Sequence, residues 1–186
     1  EAEITRLVAV VLSNRTKKRG ILFGHSLGGI VAYHVAARLS GSGWLLAVSA
    51  IASPKAFLSA SKQFPFSAMR NFEDEDSVLK ALVEAKMIPA PPLDKWNTVP
   101  VNVIVGDAKF CAKQALPCEK ILSMPLLALS ARSDTLIGSN NVAEWRDVTS
   151  GNFWFEVIEG NHSYFQRPPA ALFRCLERFG QQDVPE

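Results

Sequence analysis

Three side chains of this sequence, Ser26, Asp134 and His162, have the types and the chain order needed for nucleophilic catalysis at a carbonyl. Ser26 stands in Gly24-His25-Ser26-Leu27-Gly28, after an apolar run beginning at Gly20 and before a segment of helical period. A serine between glycines at a strand-to-helix junction is the sequence form of a nucleophile elbow. Its backbone is strained, and glycine on either side lets strand and helix approach with no Cβ between them. The helix that follows directs its first N–H groups towards the serine, and the N–H of Leu27 is the donor expected to hold a developing oxyanion.

An elbow requires a base and an acid downstream, each delivered just after its own strand. The chain has three histidines. His25 adjoins the serine and must leave the turn in another direction, and His34 lies about 12 Å further along the helix at ~1.5 Å per residue. His162 remains, on a loop after the last expected strand, within Glu159-Gly160-Asn161-His162. For the acid, Asp134 follows the strand-like 124–129 and reaches the sheet end where the elbow and the histidine loop emerge, outside the carboxyl ends of the strands. Asp107 is its competitor, because the apolar, β-branched 101–105 reads as a strand with Gly106-Asp107 as its exit turn. Asp134 is preferred, since its strand leads through one helix directly to the strand that delivers His162. In this set Ser26 attacks an acyl carbonyl, His162 takes and returns the proton, and Asp134 fixes the imidazole tautomer. No metal or cofactor is needed.

The elements that must position these groups are legible in the periodicity. Ile4, Leu7, Val8, Val11 and Leu12 recur at helical spacing over 2–14. A short buried strand is expected at 20–24 and a helix at 27–40, closed by Gly41-Ser42-Gly43. The continuous apolar run 44–51 suits a strand buried on both faces. Residues 52–98 break this rhythm with five prolines and the acidic run Glu73-Asp74-Glu75-Asp76. One helix is expected there, at 76–88, and the insertion, with Phe57, Phe64 and Phe66, reads as a lid over a site. A decorated loop packed on the sheet edge is the alternative. Beyond it come the strand 124–129, a helix at 140–147, a strand at 153–158 and a last helix at 168–180. Strands alternating with helices imply an α/β domain with a mostly parallel sheet.

The bulk properties narrow the classes. The chain has 186 residues, enough for one domain with a real core. It is 48% hydrophobic and 20% charged, as a globular protein is. A net charge of +2 and a basic cluster at 15–19 without interleaved aromatics give no nucleic-acid signature. Three cysteines without ligand spacing suit a reduced, cytoplasmic protein rather than a zinc site. No apolar run approaches the roughly 20 residues of a membrane span. The chain starts at Glu1 with neither a methionine nor a signal-like segment, which reads as a processed or incomplete piece.

Taken together, the chain resembles the type II thioesterases, α/β-hydrolases that accompany polyketide, nonribosomal peptide and fatty-acid synthases. The resemblance rests on Phe23-Gly24-His25-Ser26-Leu27-Gly28-Gly29, on Ser53-Pro54, on the acidic helix at 73–88, on Pro125–Leu129 leading to Asp134, on Trp145, and on Gly160-Asn161-His162-Ser163-Tyr164-Phe165. It implies the α/β-hydrolase fold over residues 1–186, with 52–98 as the lid. It also implies hydrolysis of an acyl thioester on the phosphopantetheine arm of an acyl or peptidyl carrier protein. Members of the family carry several strands before the elbow, including the loop with a second oxyanion N–H. Here about one helix precedes it, so the N-terminal strands are expected to be missing. A general carboxylester hydrolase of the same fold, or a catalytically inactive acyl-binding module, are the other readings.

Overall fold

The computed structural model describes residues 2–13, 20–39, 43–59 and 120–181, and the isolated positions 77, 80, 83, 84, 102 and 106. Four strands, β1 (Gly20–His25), β2 (Trp44–Ser49), β3 (Leu126–Ala131) and β4 (Phe153–Ile158), form one parallel sheet in sequential order. Every residue of β2 and β3 is buried, the burial expected of central parallel strands covered on both faces. Helices α1 (Ala2–Ser13), α2 (Leu27–Ala36), α3 (Pro54–Ser59), α4 (Ser139–Ala143) and α5 (Ala170–Gly180) accompany them. A 3-10 turn at Glu144–Val148 and another at His162–Gln166 complete the regular elements.

The two sheet faces have different partners. Leu45, Ala47, Leu127, Leu129 and Ala131 pack with Leu172 and Phe179 of α5, joined by Ile21, Phe23 and Trp154. On the other side α2 lies against β1 and β2. There Gly29 meets Ile51 and Val48 so closely that an added Cβ would stand 2.7 Å from Ile51 Cγ2. Trp145 is wholly buried and donates from Nε1 to the carbonyl of Ile51 at 2.9 Å. The Tyr33 hydroxyl donates to the carbonyl of Lys120 at 2.7 Å.

The chain divides into two compact units, Glu1–Ser53 with Glu119–Glu186, and Pro54–Cys118. In the second unit Ser77, Lys80, Val83 and Glu84 are helical, within the helix expected at 76–88. Asn102 and Gly106 are helical too, which corrects the strand expected at 101–105. Four apolar residues around one asparagine are too short a run for period to separate helix from strand. Most of the expected lid over 52–98, Phe64 and Phe66 included, lies outside the described residues. In α1 the apolar stripe is only partly used: Ile4 is buried, while Leu12 is 49% exposed.

Candidate active site

The site begins at the end of β1. The N–H of Ser26 donates to the carbonyl of Ser49 at 2.7 Å, so the elbow is pinned to the end of β2. Ser26 itself has φ 51° and ψ −128°, a conformation a non-glycine residue holds only when its surroundings enforce it. The enforcement is steric. A Cβ on Gly24 would stand 2.1 Å from the carbonyl oxygen of Gly28, so only glycine lets α2 turn back this tightly on β1. Gly28 is different: a Cβ there meets nothing within 4 Å. The close approach expected of both flanking glycines therefore belongs to Gly24 and Gly29, because the turn presents the backbone of residue 28, not its side-chain position, to the strand.

Asp134 and His162 arrive on two loops that are stitched together. The N–H of Arg132 donates to the carbonyl of Ile158 at 2.8 Å and that of Ser133 to the carbonyl of Gly160 at 2.9 Å. The β3–β4 pairing is thus carried past the ends of the strands. Gly160, at φ 132°, has room for no Cβ beside Tyr164, and Asn161 Oδ1 accepts the N–H of Ser163 at 3.0 Å. These features turn the chain so that His162 faces the serine.

The three groups are in line. His162 Nδ1–H donates to Asp134 Oδ2 at 2.9 Å, and the Ser26 hydroxyl lies 3.0 Å from His162 Nε2. A carboxylate only accepts, so the proton sits on Nδ1 and the Nε2 lone pair is left to accept from the serine. The Asp134 side chain is 1% exposed. Burial pushes its carboxyl up, but the His162 hydrogen bond, the N–H groups of Ile137 and Leu136, and the His162 charge together outweigh this and hold it below the usual carboxylate range. Leu27 opens α2, so its N–H belongs to the first-turn donors that no helical carbonyl takes up. Asp107, the competing acid, lies outside the described residues, and its supporting strand is replaced by helix at positions 102 and 106.

Three neighbours escaped the sequence reading: Ser49, and the contacts of His25 and Tyr164. His25 Nε2 is 3.0 Å from the His162 carbonyl, and His25 Nδ1 is 3.1 Å from Ser49 Oγ. Ser49 Oγ in turn hydrogen-bonds the Tyr164 hydroxyl. One signal was available: Ser49 is the lone hydroxyl in the first seven residues of the apolar run 44–51, and a buried hydroxyl needs a partner. His34, on α2, meets the Tyr33 ring edge-on. Among the described residues no group of three or more His, Cys, Asp or Glu could hold a metal, and no helix is long and apolar enough to cross a membrane.

Comparison with known proteins bears on what this arrangement serves. The Thioesterase domain family model matches residues 8–179. Thioesterase TesA of Mycobacterium leprae is 27% identical over 142 residues, 76% of this chain and 53% of TesA. The chain thus spans about half the length of that curated relative. Among solved structures, the RedJ thioesterase from the prodiginine biosynthetic pathway of Streptomyces coelicolor superposes with a TM-score of 0.67 at 24% identity, over 97% of this chain and 69% of RedJ. ClbQ from the colibactin NRPS/PKS pathway gives 0.68 at 16% identity, over 96% and 74%.

Proposed function

The chain belongs to the thioesterase family, and on that premise we propose that it hydrolyses acyl thioesters carried on the phosphopantetheine arm of an acyl or peptidyl carrier protein. The observation that supports the reading is the hydrogen-bonded line from Asp134 through His162 to Ser26 at the end of β1. Ser26 Oγ attacks the thioester carbonyl as His162 Nε2 takes its proton, and the N–H of Leu27 donates to the oxyanion. Collapse breaks the C–S bond, the thiol leaves with the proton from His162, and an acyl-serine remains. Water then attacks with His162 again as base, releasing the free acid and restoring Ser26. Asp134 holds the tautomer and stabilises the imidazolium between the two transfers. The carrier-bound substrate is favoured over a simple ester because RedJ and ClbQ come from biosynthetic pathways.

A fluorophosphonate probe should label the chain at Ser26. Ser26→Ala should abolish labelling and lower kcat by about 10⁴-fold or more. Hydrolysis of an acylated carrier protein should exceed that of the matching oxygen ester in kcat/KM. Equal or faster turnover of the oxygen ester would overturn the carrier-thioester assignment in favour of a general carboxylester hydrolase.

A further inference from the structure

The elbow histidine does no proton transfer in the scheme above, yet it holds the residue that does. The β1–β2 register pairs His25 with Ser49, so both side chains leave the sheet on the α5 face. There the 3-10 turn His162–Gln166 closes over them. The His25 ring stacks on Phe165 at 5.2 Å and 15°, and meets Tyr164 edge-on at 5.2 Å. Ser49 is fully buried and Tyr164 is 6% exposed.

The carbonyl fixes the first proton of this cluster, and a neutral His25 ring then fixes the others. The His162 carbonyl can only accept, so His25 must carry its proton on Nε2. In the neutral ring Nδ1 is then an acceptor, so the Ser49 hydroxyl must donate to it. With its one proton committed, Ser49 can only accept from Tyr164, whose hydroxyl is the donor. We propose that His25 is a positioning residue, the last member of a one-way relay Tyr164 → Ser49 → His25 → His162 C=O that anchors the backbone of the catalytic histidine beneath its own ring.

The surrounding charges suit that role. Burial first, and then the neighbouring His162, lower the His25 pKa, against the opposing pull of its bond to the His162 carbonyl and of Asp134. Burial raises the Tyr164 pKa, partly offset by Ser49, so Tyr164 keeps the proton it donates. Asp134 on its loop, and His162 and Tyr164 on the 3-10 turn, are the titratable groups that face the ring. A neutral His25 also places no positive charge beside the imidazolium that His162 becomes during turnover.

The inference rests on the Ser26–His162–Asp134 reading, and its test separates the two. His25→Phe keeps the ring contacts but loses both hydrogen bonds. It should lower kcat by about 10- to 100-fold, the cost of a small misplacement of a reacting group, with KM within about twofold. His25→Gln carries an amide N–H where Nε2 stood and should recover most of that loss, whereas His25→Asn, too short to reach the carbonyl, should not. Imidazole ¹⁵N spectra of the unmodified chain should show His25 protonated on Nε2 alone. A His25→Phe variant with unchanged kcat, a His25→Gln variant as slow as His25→Phe, or a proton on Nδ1 would overturn the proposal. Failure of the unmodified chain to hydrolyse any thioester would sink the functional reading instead, while the nitrogen spectrum would still decide the relay.

Discussion

At the scale of single residues, the site is governed by two groups whose surroundings shift their protonation in the same direction for different reasons. Asp134 is buried, yet three hydrogen bonds to its oxygens keep it charged below its usual value of 3.8. His25 is kept neutral below its usual 6.5, chiefly by burial. In both cases the unfolded chain binds more protons than the folded one in the window beneath the usual value, so stability rises with pH across that window. Acid should therefore weaken the fold in two steps. The first begins as pH falls below 6.5, where His25 of the unfolded chain charges while the folded one stays neutral, and the second below 3.8, where Asp134 of the unfolded chain protonates before the folded one. Urea midpoints measured against pH should show both, and His25→Gln should erase the first and keep the second. Asp134→Asn should leave the neighbouring geometry intact but release the His162 tautomer, lowering kcat by about 10⁴-fold in steady-state assays with little change in KM.

At the scale of elements, the strand-to-helix turn is where a single missing Cβ decides the structure. Gly24→Ala would drive a methyl into the Gly28 backbone, which cannot yield as a flexible side chain could, and should cost about 3 kcal/mol or more. Gly28→Ala has open space and gains helix propensity, so it should be neutral or stabilising by up to about 1 kcal/mol. Chemical denaturation of the two variants checks the contrast. The elbow was legible because its glycines and serine are adjacent in sequence. Which glycine is indispensable was not, because that depends on the path of the helix back across the strand. The strand expected at 101–105 fails for a related reason: a run of β-branched residues this short carries no period that separates strand from helix, and Asn102 and Gly106 are helical.

At the scale of the compact unit built on the sheet, four parallel strands in sequential order bring their carboxyl ends to one side. The Ser26 turn, the Asp134 loop and the His162 loop all emerge there. Packing on the opposite face of the sheet from α5 holds this end in place through Trp145, which is wholly buried and bonds the Ile51 carbonyl just beyond β2. Trp145→Ala removes that packing and leaves a carbonyl without its donor, and should cost about 3–5 kcal/mol in thermal or urea unfolding. Molecules that remain folded should still take the fluorophosphonate label at Ser26, because the variant touches none of the three hydrogen-bonded groups.

The amino-acid sequence alone determined the alternation of strands and helices, the elbow at Ser26, and the pairing of Asp134 with His162 as candidates for one site. Each of these is written in local period or in the order of scarce residue types. Tertiary structure alone decided the rest. It set the β1–β2 register that puts His25 on Ser49, and the turn that folds Tyr164 over both. It also set the loop-to-loop bonds that join Arg132 and Ser133 to Ile158 and Gly160. Those contacts reach from His25 to Tyr164, across most of the chain. Hydrogen-bond direction, burial and proton location are properties of neighbours in space, and no local pattern along the chain encodes them.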